Sequence, residues 1–218
     1  MNPRRPTPHW VPSMRLVAIT ERKMVIGDEA FIQRCERLLA AGVRALMFRE
    51  KDLSAREQFN LCSALLPIVR RHRAMLIVSD RLDVALAVGA DGAQLTGSSL
   101  KVQDARRIAP PGFLLGASCH GLGQLTEAEQ GGADFAMLSP IFTPGSKPAP
   151  TTLGLDELRR LAEICATPII ALGGITPARA GECLRAGASG VAAIGARFGQ
   201  DDPAEAVNSF LTSVEVTG

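Results

Sequence analysis

The feature that most constrains this chain is a short apolar run followed by an amphipathic segment, a unit that recurs eight times. The apolar runs occupy residues 15–20, 43–48, 74–79, 92–96, 113–118, 135–139, 168–173 and 190–195. Their hydrophobicity is continuous rather than alternating, which is typical of parallel strands covered on both faces. Helical periodicity is found in residues 28–41, 55–72, 80–89, 100–108, 121–131, 154–166 and 202–214, and a further helix is predicted to begin at Thr176-Pro177.

In several of these units a glycine separates the helical segment from the next apolar run. Examples are "AAGVRAL" (40–46), "AVGADGAQL" (87–95), "QGGADFAML" (130–138) and "RAGASGVAAI" (185–194). Glycine at the end of a helix supplies the left-handed conformation that reverses the chain. Eight such units predict an α/β protein, a single (β/α)8 TIM barrel. A doubly wound sheet is the alternative, but it usually carries five or six strands.

The first 14 residues, "MNPRRPTPHWVPSM", are rich in proline and lack the apolar core of a signal peptide. We therefore expect a flexible N-terminal arm over residues 1–14 and one barrel domain over residues 15–218. No run of about 18 apolar residues is present, so a membrane span is not expected.

Composition makes several other classes of protein poor matches. The formal net charge is +2, with one Trp and no Tyr, so nucleic-acid binding is not expected. The five cysteines are scattered and have no metal-binding spacing. They predict buried thiols in a reducing compartment, and hence a cytoplasmic protein. The oligomeric state stays open, with a homodimer as one possible assembly.

In a TIM barrel the active site lies at the carboxyl ends of the strands. Arg49 and Lys51 follow the second apolar run, where two cations can hold an anionic group. The alternative is a salt bridge at the rim with Glu50 or Asp52.

Two other strand ends carry groups suited to catalysis or binding. His120 follows the fifth apolar run, whereas His9 lies in the N-terminal arm and His72 in a basic helical stretch. Only His120 is therefore placed for acid–base chemistry near neutral pH. A structural histidine is the alternative. Ser79 and Asp80 end the third run and are expected to face the substrate.

The segment "ALGGITPAR" (171–179) predicts a phosphate-binding cup. Gly173 and Gly174 allow a ligand to approach the backbone, and the next helix offers free N–H groups at its start. The last strand contributes Ile194 and Gly195 to the same cup, since loops after the seventh and eighth strands bind phosphate in such barrels. Structural turns would also explain these glycines.

The long loop over residues 143–152 contains Ser146 and Lys147, which can bond a phosphate. Loops of this length are commonly lids or binding segments, with a plain solvated loop as the alternative.

Six segments, in order, resemble the thiamine phosphate synthase and thiazole tautomerase superfamily over residues 15–200. They are "FREKDLS", "SDRLDVALAVGADGAQL", "LGASCH", "SPIFTPGSKP", "ALGGITPARA" and "AGASGVAAI". The resemblance implies a barrel whose small-molecule partner is a thiazole phosphate.

The synthase branch joins a pyrimidine diphosphate to thiazole phosphate, expels pyrophosphate and needs Mg²⁺. The resemblance implies that Arg49, Lys51, Asp80 and Lys147 surround the pyrophosphate and that Asp80 binds the metal. Its pattern also has a Gln where this chain has Met47 and a second acidic residue where it has Ser99. Losing one of two carboxylates should weaken a Mg²⁺ site.

The tautomerase branch has no metal site and moves a proton on a thiazole carboxylate phosphate. Its pattern implies a substrate-binding Gln at Gln94 and a catalytic histidine at His120, with Arg49 or Lys51 holding the carboxylate. We therefore favour a thiazole tautomerase without a cofactor. The alternatives are a thiamine phosphate synthase with an altered Mg²⁺ site, and a non-catalytic protein that binds thiazole or thiamine phosphate.

Overall fold

The computed structural model describes residues 9–143, 151–194 and 203–215. Eight parallel strands form a closed barrel in chain order, because β1 pairs with both β2 and β8. This confirms the predicted (β/α)8 fold. The strands are β1 (Leu16–Ile19), β2 (Ala45–Phe48), β3 (Met75–Ser79), β4 (Gly92–Leu95), β5 (Leu114–Cys119), β6 (Phe135–Leu138), β7 (Ile169–Leu172) and β8 (Gly190–Ile194).

One α-helix follows each strand and covers the outside of the barrel. The helices are α1 (Asp28–Ala40), α2 (Ala55–Arg71), α3 (Leu82–Val88), α4 (Val102–Ile108), α5 (Leu122–Gln130), α6 (Gly154–Ile164), α7 (Pro177–Arg185) and α8 (Ala204–Glu215). Short 3-10 helices occupy Val11–Met14 and Arg22–Met24. Among the described helices none is long and apolar enough to cross a membrane.

Polar residues cap two helices, and the cap at Thr176-Pro177 is the one that the sequence predicts. The hydroxyl of Ser54 accepts a hydrogen bond from the N–H of Glu57, and the Glu57 carboxylate accepts one from the N–H of Ser54. At α7 the hydroxyl of Thr176 accepts from the N–H of Arg179, and Pro177 is the first helical residue. These caps satisfy backbone donors that have no partner inside the helix.

Alternate residues along each strand divide between two apolar layers. One set fills the barrel interior and includes Val17, Met47, Ile77 and Phe135. The other set packs between the strands and the helices. Because both faces of each strand are buried, the apolar runs are continuous in the sequence. All five cysteines are free thiols, and four of them are buried.

Residues 10–14, which belong to the segment expected to be an N-terminal arm, pack against the barrel. Trp10 and Met14 are buried in the interior cluster, and the Trp10 ring lies 6.0 Å from that of Phe135. The carbonyl of Met14 contacts Gly190 so closely that a side chain there would collide with it. These residues close the lower end of the barrel, where apolar side chains exclude water. Residues 1–8 lie outside the described part of the chain.

Candidate active site

An ion pair links the loops that follow β2 and β3. Lys51 Nζ lies 2.7 Å from Asp80 Oδ2, and the hydroxyls of Thr96 and Ser99 donate to Asp80 Oδ1. Burial would raise the pKa of Asp80, but hydrogen bonds from Lys51, Ser99 and Thr96 outweigh it and lower this pKa to about 2. The carboxylate is therefore ionised and fixed at neutral pH.

The alternative reading of Arg49, a salt bridge with Glu50 or Asp52, is not found among the described residues. Glu50 turns inward and accepts hydrogen bonds from the Thr20 hydroxyl at 2.6 Å and from the N–H of Arg22 at 3.0 Å. Asp52 pairs instead with Arg22 at 3.0 Å. Arg49 is exposed, and its guanidinium has no ion pair among the described residues. It is thus available to an anionic ligand.

The upper layer of the barrel interior contains a buried acceptor with no partner. Gln94 is 2% exposed, and its Nε2 donates to Ser118 Oγ at 3.1 Å, but its Oε1 accepts no hydrogen bond from any residue that the structure describes. Ser79, also buried, is aligned with Gln94 across the β3–β4 pair. Gln94 Oε1 faces Gly116, where an added Cβ would collide with it, and a buried acceptor without a partner is costly. Met47 is buried in the interior apolar cluster.

His120 is exposed at the end of β5 and is held through one ring nitrogen. Nδ1 lies 2.7 Å from the carbonyl oxygen of Ser139, and the His120 N–H donates to Gln124 Oε1 at 2.6 Å. A carbonyl can only accept, so Nδ1 carries the proton. In the neutral ring Nε2 then keeps a lone pair, which is the arrangement of a general base.

Gly173 and Gly174 lie against the loop that follows β6. Both have positive φ angles, +98° and +63°. A Cβ at Gly173 would lie 2.8 Å from Pro140 Cα, and one at Gly174 would lie 2.7 Å from the carbonyl oxygen of Thr143. Close packing of the two loops therefore requires glycine at both positions. The alternative explanation, a structural turn, accounts for these residues without a ligand.

The surroundings of the glycine pair also suit an anion. The helix α7 begins three residues after Gly174; Pro177 has no N–H and the N–H of Arg179 donates to Thr176, so Ala178 supplies the first helical N–H beside the loop. Arg179 donates to the carbonyl of Gly174 at 2.8 Å and stacks 4.5 Å from the centre of the Phe142 ring. Ile194 ends β8 and packs on the interior cluster. Ser146, Lys147 and Gly195 lie outside the described residues, so their roles stay predictions.

Sequence reasoning missed several polar contacts that shape this site. Thr96 and Ser99 were not expected as donors to Asp80, nor Ser118 as a partner of Gln94. Nor was the bond of Thr20 to Glu50 expected, although the position of Thr20 at a strand end was a usable signal.

A metal at this site would depend on Asp80. Within the described ranges no group of three or more His, Cys, Asp or Glu side chains could hold an ion. One ionised carboxylate beside the hydroxyls of Thr96 and Ser99 does supply the hard oxygen ligands that Mg²⁺ prefers. Mg²⁺ usually binds through one or two carboxylates together with substrate phosphates. The residues thus fit a metal that arrives with a diphosphate.

Comparisons with known proteins agree on one family. The family model described as thiamine monophosphate synthase matches residues 16–196. The thiamine-phosphate synthase of Methanoculleus marisnigri is 42% identical over 176 residues, covering 80% of this chain and 83% of that protein. The thiamine biosynthesis bifunctional protein ThiM/ThiE of Symbiobacterium thermophilum is 42% identical over 180 residues, 82% of this chain but only 38% of its own length.

A solved structure of a similar protein has the same fold as this chain. The thiamine phosphate pyrophosphorylase from Pyrococcus furiosus superposes with a TM-score of 0.85 at 32% identity, covering 95% of this chain and 98% of that one.

Proposed function

The chain belongs to the thiamine monophosphate synthase family, and on that premise we propose that it is an enzyme of thiamine biosynthesis that joins a pyrimidine diphosphate to a thiazole phosphate. The products are thiamine phosphate and pyrophosphate. The names of the relatives support this reaction and give no support to the tautomerase that the sequence had favoured. The synthase, which was the alternative, is therefore the better proposal.

The observation that carries the proposal is the Lys51–Asp80 pair beside Arg49, whose guanidinium forms no ion pair within the described part of the chain. A diphosphate bears several negative charges, and two neighbouring cations on one loop match it. A proton transfer on a thiazole would need no ionised carboxylate at this place. Asp80 holds Lys51 in one position, so the ammonium group is oriented before substrate binds.

Each half of the site has a proposed task in this reaction. Arg49 and Lys51 hold the diphosphate and stabilise the charge that develops as pyrophosphate leaves. Asp80, with the hydroxyls of Thr96 and Ser99, would hold Mg²⁺, which when bound neutralises charge on the departing pyrophosphate. Gly173, Gly174 and the start of α7 bind the thiazole phosphate.

Gln94 positions the heterocycle beneath these phosphates. Its free Oε1 accepts an N–H of the substrate, which removes the cost of a buried acceptor without a partner.

The direct test is to incubate the protein with both substrates, with and without Mg²⁺, and to identify the products by NMR. Thiamine phosphate and pyrophosphate should form in equal amounts, and the Lys51→Ala variant should lose most of this activity. The Arg159→Ala variant is a suitable control, because Arg159 lies in an exposed pair with Asp156 on α6. If no thiamine phosphate forms with folded wild-type protein, the proposal is wrong.

One specific observation favours the tautomerase as a second candidate. The Nδ1 atom of His120 donates to Ser139, which leaves Nε2 as a base at the mouth of the barrel. We therefore include thiazole carboxylate phosphate alone, without metal, as a further arm of the NMR experiment. Formation of the aromatic isomer there would support the second candidate. Ligand binding without product in either assay would indicate a non-catalytic binding protein.

A further inference from the structure

We propose that Thr20 and Glu50 are positioning residues that hold the two cations of the β2 loop, Arg49 and Lys51, in the geometry needed to bind a diphosphate. Neither side chain touches the solvent-facing part of the site, so both would act through their neighbours. The identity of the anion rests on the proposed function, whereas the positioning of the cations does not.

A single hydroxyl group connects the ends of β1 and β2. The Thr20 O–H donates to Glu50 Oε1 at 2.6 Å, and the N–H of Arg49 donates to Thr20 Oγ1 at 3.0 Å. The N–H of Thr20 also donates to the carbonyl of Met47 at 2.9 Å. Thr20 therefore bonds both the backbone of Arg49 and the side chain of Glu50, which are consecutive in the chain.

The burial of Glu50 determines where its neighbours point. Glu50 is 5% exposed and Thr20 is 4% exposed, while Arg49 and Lys51 on either side of Glu50 are both exposed. Drawing Glu50 inward turns the flanking side chains outward over the mouth of the barrel. Lys51 is fixed there a second time by Asp80.

Burying the Glu50 carboxylate between the two loops carries a desolvation cost. An apolar pair of similar size would pack at least as well, since a buried charge must recover its lost hydration through hydrogen bonds. Burial raises the pKa of Glu50, and the hydrogen bonds from Thr20 and the N–H of Arg22 oppose that rise. The directional bonds of Glu50 specify one arrangement of the cation loop, which nonpolar contacts would not do.

The test compares Thr20→Val, Thr20→Ser and a matched control, Thr167→Val. Thr167 is also buried, at 7% exposure, but it lies at the opposite end of the barrel, ahead of β7. We measure the affinity for inorganic pyrophosphate by calorimetry and the KM and kcat for each substrate. Thr20→Val should bind pyrophosphate about tenfold more weakly, as expected from about 1.4 kcal/mol of lost binding. Thr20→Ser, which keeps the hydroxyl, should stay within about twofold of wild type.

Comparing kcat and the KM values for the two substrates separates a positioning role from a general structural defect. With Thr20→Val the KM for the pyrimidine diphosphate should rise and kcat should fall, because Arg49 and Lys51 also act on the leaving pyrophosphate, while the KM for thiazole phosphate stays near wild type. Thr167→Val should change none of these values. Equal rises in both KM values, or unchanged pyrophosphate affinity in folded Thr20→Val, would overturn the proposal.

A second variant decides the matter if Thr20→Val does not fold. Glu50→Gln keeps an oxygen that can accept from Thr20 and Arg22 but removes the charge that strengthens those bonds. It should weaken pyrophosphate binding about threefold or more at an unchanged melting temperature, and wild-type affinity in this variant would contradict the proposal. Failure of the proposed function would be seen separately, as wild-type protein that binds pyrophosphate but forms no thiamine phosphate.

Discussion

Lys51 Nζ lies 2.7 Å from Asp80 Oδ2, so the loops that follow β2 and β3 meet through an ion pair at the mouth of the barrel. The aspartate also accepts hydrogen bonds from Thr96 and Ser99 after β4. Three consecutive loops are thereby joined at one carboxylate. These contacts depend on the negative charge of Asp80, so protonation of this carboxylate should destabilise the site.

Asp80 should make the stability of the protein depend on pH in acid solution. Its pKa is about 2 in the folded chain, below the usual value of 3.8, so its contribution is present above about pH 4 and is lost as the pH falls toward 2. At neutral pH, Asp80→Asn should lower the free energy of unfolding by about 2 kcal/mol, and this difference should shrink below pH 4.

Urea unfolding of wild type and Asp80→Asn between pH 3 and 7 measures that difference. Asp104→Asn is the control, because Asp104 forms only an exposed pair with Arg107. A stability difference for Asp80→Asn that does not change with pH would contradict the role of the ionised carboxylate.

Gln94 should matter more for substrate binding than for folding. Gln94→Leu removes a buried acceptor that has no partner, although Ser118 loses a donor, so the melting temperature should change little. The KM for the substrate whose heterocycle it binds should rise about tenfold, the cost of one well-placed hydrogen bond.

Gln58→Leu is the comparison variant, and it should lower the stability of the protein without changing KM. Gln58 is buried in α2, and its Nε2 donates to the carbonyl of Leu53 at 3.0 Å. This variant should lose stability and keep its KM values. If Gln94→Leu instead lost stability with an unchanged KM, Gln94 would be a structural residue.

His120→Asn tests whether the ring acts as a base. An asparagine amide can replace the Nδ1–H donor to Ser139 but offers nothing at the place of Nε2, so the melting temperature should stay near that of wild type. Synthase turnover should fall by less than about tenfold, whereas any proton transfer on thiazole carboxylate phosphate should fall by about 100-fold or more. NMR assays of both reactions supply the measurement, and a comparable loss in both would show that His120 serves the two reactions alike.

The sequence predicts the barrel because its eight repeats determine burial locally, strand by strand. It does not predict which charged side chains pair across loops. Lys51 and Asp80 lie far apart in the chain, and either could have bonded a nearer partner. The partner of Ser99 could not be predicted from the sequence either. The sequence presents it as a missing carboxylate, whereas the structure shows a hydroxyl that donates to Asp80.

Residues 10–14 show a related physical limit of the sequence. The prolines of the N-terminal segment are typical of an extended tail, and composition gives no sign that Trp10 and Met14 fill the lower end of the barrel. Such burial depends on an opening that only the closed sheet creates.

Gly174→Ala should destabilise the protein more than Gly154→Ala does. Gly174 has a φ of +63°, and a Cβ would lie 2.7 Å from the carbonyl oxygen of Thr143 and 2.8 Å from Phe142 Cβ. The β6 loop must therefore move away from the glycine pair. We expect a loss of about 2 kcal/mol or more in the free energy of unfolding, together with weaker binding of thiazole phosphate.

Gly154→Ala separates the two causes of that loss. Gly154 has a similar φ of +72°, but a Cβ there would contact nothing within 4 Å. It should suffer only the backbone strain of about 1 kcal/mol, with thiazole phosphate binding unchanged. Chemical unfolding and calorimetric titration with thiazole phosphate measure both quantities for each variant. If the two variants lost equal stability and bound the ligand equally well, the close approach of the β6 loop to Gly174 would have no energetic importance, and the glycine pair would be a turn with no part in binding.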